Sequence, residues 1–409
     1  MPSLPTRETR TMTREDRKAL RLAIVVSHPI QYYAPLYQRL AMRDDVAIKV
    51  FFTWHAAQGA VSDHGFRQPV AWDIPLTKGY DFELVPNVSR DPGTHRFFGL
   101  TNPSLVRRVM EWKPDMAHVT GWAWHSHVHA LRDLTRKGIP VLFRGDSHLL
   151  DLPRRTGPAW WIKRAVLRRV FSWPAAFLYV GKANRAYYEA FGVESSRLFR
   201  CPHSIDVARF AQPSDELEIE ARRWRGELGI GDDSVVLLFA GKFETKKQPV
   251  QLMNAVRLLD PKFVMIMVGG GELEDEVKSI AASDPRRFRV LPFQNQSRMP
   301  VVYRLGDLLI LPSAFGETWG LAVNEAMACG RPVVASDRVG CVADVIDDSC
   351  GRVFASGDFT AMARALEEMS VDRNRLLEMG RAASKRAWEF DIGVTESALV
   401  QCLQAVIVR

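Results

Sequence analysis

The chain has 409 residues, of which 47% are hydrophobic and 25% charged, enough apolar mass for two globular cores. Its five cysteines, Cys201, Cys329, Cys341, Cys350 and Cys402, are odd in number and form no C-x-x-C pair, which argues against a disulfide framework or a zinc site. The net charge of +8 is uneven: residues 1–210 carry +13, leaving −5 for the remainder, so the first half is the one suited to an anionic partner.

In chain order, residues 1–20 are polar without an apolar core and read as a disordered tail, not a leader peptide. Near-continuous apolar runs follow at 22–27, 46–52, 116–121, 140–145 and 176–181, alternating with helical patterns. After the polar stretch 211–220 the series restarts at 235–241, 263–269, 288–293, 307–313 and 332–337. Runs of this kind, rather than alternating ones, predict strands buried on both faces of parallel sheets. The expected fold is α/β, two doubly wound Rossmann-like domains facing a cleft. The expected boundaries are 21–207 for an acceptor-binding domain, joined by a returning helix at 388–409, and 208–387 for a donor-binding domain. No run of 18 apolar residues predicts a membrane span.

Ligands of open α/β sheets bind at the carboxyl ends of the strands. After the first strand, "SHPIQYYAP" offers His28, Gln31 and Tyr32. Another strand end, "VTGWAWHSH", offers Trp122 and His125. The stretch 154–173 holds Arg154, Arg155, Lys163, Arg164, Arg168 and Arg169, interleaved with Trp160, Trp161, Ile162, Val166, Val170 and Trp173 and without an acid. That composition fits a basic amphipathic helix on an anionic membrane, with a calmodulin-like or nucleic-acid patch as the competing explanation.

The richest segment is "SAFGETWGLAVNEAMACG", residues 313–330. Eight helical residues between Glu317 and Glu325 would turn them about 80° apart with about 12 Å of rise, so two helical acids would not meet. They converge if Glu317 lies in a loop and Glu325 in the second turn of a helix opened by Gly320 and closed at Gly330 and Pro332. The N–H groups of Thr318, Trp319, Gly320 and Leu321 then face the cleft and suit a phosphate. Carboxylates on either side suit hydroxyls, which a sugar nucleotide supplies on both sides of its diphosphate.

This segment resembles the E-x7-E region of family 4 retaining glycosyltransferases, which have the GT-B fold. The resemblance implies that Glu325 holds ribose hydroxyls and Glu317, with the preceding Gly316, a hydroxyl of the donated sugar. "FAGKFETKKQP" is similar to the family's G-R-L-x-x-x-K-G, where two cations grip the diphosphate; Gly241, Lys242 and Lys247 take those places, with Lys246 a rival and Gln248 standing where glycine is usual. "VGGGELEDEV", containing Gly270, resembles the turn beside the base, and "LPFQNQ", containing Phe293, the strand end that recognises it. The family often places a histidine after the fourth strand, near the reacting carbon; here Asp146 and His148 compete for that place. The first half looks like a subgroup with H-P-x-Q-Y-x-x-P and W-D-x-P-L, the latter being Trp72–Leu76.

The resemblance implies metal-free transfer of a sugar from a UDP- or GDP-linked donor, with retention and without a cofactor. The acceptor is a hydroxyl, lipid-linked on the membrane reading, in cell-surface polysaccharide, lipopolysaccharide or glycolipid assembly. The expected location is the cytoplasm, at the inner face of the membrane, with no nucleic-acid partner. The alternatives are a GT-B sugar-nucleotide epimerase and an inactive sugar-nucleotide-binding protein.

Overall fold

The computed structural model describes residues 19–54, 61–63, 68–152, 157–212 and 215–408. The expected tail at 1–20 lies outside them except for its last two residues, and Leu20 already opens the first strand. The strands in chain order are β1 (Leu20–Val26), β2 (Val46–Phe52), β3 (Val61–Asp63), β4 (Gln68–Val70), β5 (Asp81–Leu84), β6 (Met116–Thr120), β7 (Val141–Arg144), β8 (Ala176–Tyr179) and β9 (Leu198–Arg200). They continue with β10 (Val235–Ala240), β11 (Phe263–Val268), β12 (Phe288–Leu291), β13 (Leu308–Leu311), β14 (Val333–Ser336) and β15 (Gly351–Phe354).

Seven strands form one sheet in the order β5-β2-β1-β6-β7-β8-β9, and six form another in the order β12-β11-β10-β13-β14-β15. Every pairing within these two sheets is parallel; Val25 stands opposite Phe51 and Phe239 opposite Met267. All six residues of β10 and all six of β11 are buried, as their unbroken apolar sequence requires. Among the described residues only β3 and β4 pair antiparallel. Each large sheet has apolar clusters on both faces. The ten apolar runs all became strands. Strands β3, β4, β5, β9 and β15 were not anticipated; β5, β9 and β15 are short and only partly buried, without an unbroken apolar run.

In each sheet the order reverses beside one strand, β1 in the first and β10 in the second. A crevice opens at such a switch point. The chain passes between the halves twice, side by side: Ile205 bridges to Asp391, Ile205 donates to the Phe390 carbonyl, and Ile392 donates to that of Ile205. After the second crossing, the helix Ile392–Ile407 returns to the first sheet. There Ile392, Leu399, Leu403 and Val406 share a cluster with Leu22, Ile24 and Leu178. Its Glu396 meets Arg39 at 2.7 Å and Arg43 at 3.1 Å.

Candidate functional site

Strand β13 ends at Leu311, a loop follows, and Gly320 caps the helix Leu321–Ala328. Gly320 has φ 94°, and a Cβ there would lie 2.7 Å from Val339 Cγ1, so both conformation and space call for glycine. The N–H groups of the first helical turn have no intrahelical acceptor. They open into a cleft of about 530 Å³ lined from both halves.

Glu325 sits in the second turn and is only 2% exposed. Tyr303 donates a 2.6 Å hydrogen bond to its Oε2, while Oε1 has no hydrogen-bond partner among the described residues. Burial pushes its pKa up to about 7, against the opposing pull of Tyr303, Arg209 and Tyr32. Tyr32 reaches this carboxyl from the first half. Glu317, in the loop, pairs with the Lys247 ammonium and accepts from Ser313 Oγ at 3.3 Å. Its carbonyl takes the Gly340 N–H at 2.9 Å, which pins the loop.

Lys242, Lys246 and Lys247 all line the cleft. Lys247 reaches Glu317, whereas Lys246 turns to Glu244 at 3.1 Å, so the geometry favours Lys247 as the inner cation. Gln248 adopts φ 50° and ψ 43°, the left-handed conformation glycine takes freely. The loop therefore keeps the path expected of glycine, at a conformational cost of about 1 kcal/mol.

From the first half, His28, Gln31 and Tyr32 reach the cleft from the loop after β1. The His28 Nδ1 lies 2.9 Å from Ser27 Oγ, and its ring stands edge-on to Trp54 at 5.3 Å. Asp146, following β7, also lines the cleft. Burial would raise its pKa, but His203 and Arg144 more than offset this and hold it at about 2, so the carboxylate is ionised. His203 lies between these two: Asp146 Oδ1 is 3.2 Å from its Nε2, and the buried Arg144 Nη2 is 3.2 Å from its Nδ1. An arginine can only donate, so Nδ1 accepts and the Nε2 proton is directed at Asp146.

The structure thus brings together Glu317, Glu325, Lys242, Lys247, Gly241, Phe293, Thr318, Trp319, Gly320, Leu321, His28, Gln31, Tyr32 and Asp146. Others named from sequence stand elsewhere. His148 is buried, accepting from the Leu150 N–H at 3.2 Å, with Nε2 3.6 Å from Asp151; Asp146, not His148, reaches the cleft. Trp122 packs into the apolar cluster behind the first sheet. His125 opens a helix and packs against Phe97, Phe98 and His129. Gly270 gives its carbonyl to the Phe243 N–H, and its neighbour Gly269 lines the cleft instead. The Gly316 N–H is taken by Asp151 of the other half at 2.7 Å. The Trp319 indole is 3% exposed, donates to Asn324 at 2.9 Å and packs against His203 and Phe390. Its contribution to the cleft is consequently backbone more than ring. Sequence reasoning missed His203, whose one signal was its place in "CPHSID" where the chain leaves the first half.

The basic stretch forms the helix Pro158–Val170; Arg154 and Arg155 lie outside the described residues. Leu167 and Val170 are buried, while Trp161, Ile162 and Val166 are exposed beside Arg168 and Arg169. No helix among the described residues is long and apolar enough to cross a membrane.

Residues 220–386 match a family model described as glycosyl transferases group 1. A D-inositol 3-phosphate glycosyltransferase of Xylanimonas cellulosilytica is 32% identical over 209 residues, covering 49% of this chain and 50% of that protein. The chain spans about half the length of the curated relatives it matches. Anabaena HepE, solved with UDP, superposes with a TM-score of 0.71 at 16% identity, over 95% of this chain and all of that one. The same protein solved with UDP-glucose superposes at 0.69. Sucrose-phosphate synthase of Thermosynechococcus elongatus superposes at 0.70 with 17% identity, over 95% and 99%. At these identities the likeness is one of fold, and the fold is GT-B.

Proposed function

Because residues 220–386 match the family model of glycosyl transferases group 1, we propose that the chain moves a sugar from a UDP- or GDP-linked donor to an acceptor hydroxyl with retention of configuration. The observation that carries this reading is the convergence in one cleft of a helix N-terminus, the Lys247–Glu317 pair and the Oε1 of Glu325, unpartnered among the described residues. The diphosphate lies over the N–H groups of Thr318 to Leu321, with Lys242 and Lys247 neutralising the charge that grows as it leaves. Glu325 accepts from the ribose hydroxyls and Glu317 from a hydroxyl of the donated sugar. Asp146, ionised beside His203, faces the sugar from the opposite wall.

In the retaining step the acceptor oxygen bonds to the anomeric carbon on the face from which the diphosphate departs. The carbon–oxygen bond to phosphate breaks, and a phosphate oxygen takes the acceptor's proton. Neither a metal nor a cofactor enters this reading. The structures of HepE with UDP and UDP-glucose support a nucleotide-sugar ligand for a cleft of this architecture.

The proposed acceptor is lipid-linked and part of surface polysaccharide, lipopolysaccharide or glycolipid assembly at the inner face of the cytoplasmic membrane. The support is the exposed Trp161, Ile162 and Val166 beside Arg168 and Arg169, on a half whose charge suits an anionic surface. The native protein should then sediment with anionic vesicles at about 0.1 M salt, and Arg168→Glu with Arg169→Glu should abolish that.

The central test separates the two glutamates. Glu325→Ala should weaken UDP or GDP binding at least tenfold, the loss of a charged hydrogen-bond partner. Glu317→Gln should cut transfer at least tenfold and leave nucleotide binding intact. Unchanged nucleotide binding by Glu325→Ala removes the ribose assignment. Conversion of a nucleotide sugar without any acceptor would replace transfer with epimerisation.

A further inference from the structure

The W-D-I-P-L stretch at 72–76 belongs to the first half, yet it is held by the second. Asn295 Nδ2 donates to the Ala71 carbonyl at 2.6 Å, and the Asp73 N–H donates to Asn295 Oδ1 at 3.3 Å. The Ser297 N–H donates to Asp73 Oδ2 at 3.1 Å, and the Ser297 hydroxyl donates to the same carboxylate. These bonds join residues 222 or 224 positions apart, from one half to the other. Between them stands Trp72, half-buried, lining the cleft with its ring edge-on to Phe293 at 6.2 Å.

The place of this indole follows from the order of groups in a nucleotide. With the diphosphate at the helix N-terminus and the ribose at Glu325, the base continues past Tyr303 into the chamber formed by Met299, Phe293, Gln294 and Gln296. Trp72 is the aromatic side chain of the first half that meets Phe293 there, while Tyr32 of the same half lies nearer Tyr303 and Glu325. A flat heterocycle packs well on an indole, whichever base it is; the neighbouring amides are already engaged, Gln296 Oε1 accepting from Arg209 at 2.7 Å and Gln294 Nε2 donating to the Pro292 carbonyl at 3.1 Å.

We propose that residues 71–76 form a clasp across the cleft, and that Trp72 is the wall against which the donor's nucleobase packs, an inference that rests on the nucleotide reading above. The half that holds the acceptor then also holds the base, so nucleotide binding and closure of the two halves are one event. Release of the spent nucleotide requires the Asp73–Ser297 and Asn295–Ala71 contacts to part.

The test is calorimetric binding of UDP, GDP and ADP, and of inorganic diphosphate as a base-free probe, to the full chain and three variants. Trp72→Ala should raise the dissociation constant of the preferred nucleotide about tenfold and leave that of diphosphate unchanged. Trp72→Phe should recover most of the loss. Asp73→Ala should weaken nucleotide binding a few-fold and speed its release in stopped flow, because the clasp opens more readily. Unfolding temperatures equal to that of the native protein show that each variant is folded. Native nucleotide affinity in Trp72→Ala, or an equal loss for nucleotide and diphosphate, overturns the clasp and leaves the nucleotide reading standing. If the native protein binds no nucleoside diphosphate more tightly than diphosphate, the nucleotide reading itself falls, and the clasp with it.

Discussion

The two walls of the cleft are built differently. The second half carries Lys247, Glu317, Gly320 and Glu325 on two short segments, 241–248 and 317–325, each leading into a helix, so local backbone geometry sets most of their placement. The first half gathers His28, Asp146 and His203 from three separate strand ends, and fixes Asp146 through a buried arginine and an imidazole. A wall made of contiguous segments is ready before any ligand arrives. One made of dispersed side chains depends on how its elements pack.

The comparison breaks most sharply at Lys247. If the second half supplies the charge stabilisation, Lys247→Ala should lower turnover by about 100-fold or more, as removal of one preorganised donor to a developing charge does. Lys246→Ala should cost much less, and the reverse ranking would exchange the two lysines.

Glu325 tests the same wall in the absence of substrate. Its pKa of about 7 lies above that of an unfolded glutamate, so the folded protein holds this proton more tightly than the unfolded chain. Its contribution is therefore most favourable below about pH 4.5, worsens as pH rises towards 7, and is constant above. Glu325→Gln removes that dependence. Denaturant unfolding should show it level with the native protein near pH 4.5 and more stable by up to about 3 kcal/mol at pH 8.

On the first wall, Asp146→Asn and His203→Ala should each reduce turnover about tenfold with nucleotide affinity unchanged, and the double variant should lose little more than either single one. Additive losses would mean that His203 does not act through Asp146. The smallest effect belongs to Gln248: replacement by glycine relieves a left-handed backbone but frees the unfolded chain, so Gln248→Gly should lie between neutral and about 1 kcal/mol more stable, and Gln248→Val should be destabilised.

The same contrast explains what could be read beforehand. Spacing located Glu325 in a second turn and Gly320 at a helix start because helix periodicity and glycine chemistry act over a few residues. Ten unbroken apolar runs were visible for the same reason, whereas β9, a three-residue strand at a sheet edge that ends on an exposed Arg200, was not. Since β9 leads into the crossing at Ile205, His203 stayed hidden with it. His148 and Asp146 differ by two positions, and only the turn after β7 decides which one faces the cleft. No periodicity could bring Asp73 to Ser297 or Asp151 to Gly316, because those contacts exist only when the halves meet.

The returning helix Ile392–Ile407 has a consequence for the order in which the molecule is made. Its Leu399, Leu403 and Val406 complete an apolar cluster with β1 and β8, strands synthesised hundreds of residues earlier. Until the ribosome has passed that helix, one face of the first sheet lies open to water and to neighbouring nascent chains. The second half can close around its own two clusters first. The half that is born first is thus the one that finishes folding last, and a ribosome stalled before residue 392 would release a chain with an exposed sheet face, a substrate for chaperones rather than an enzyme.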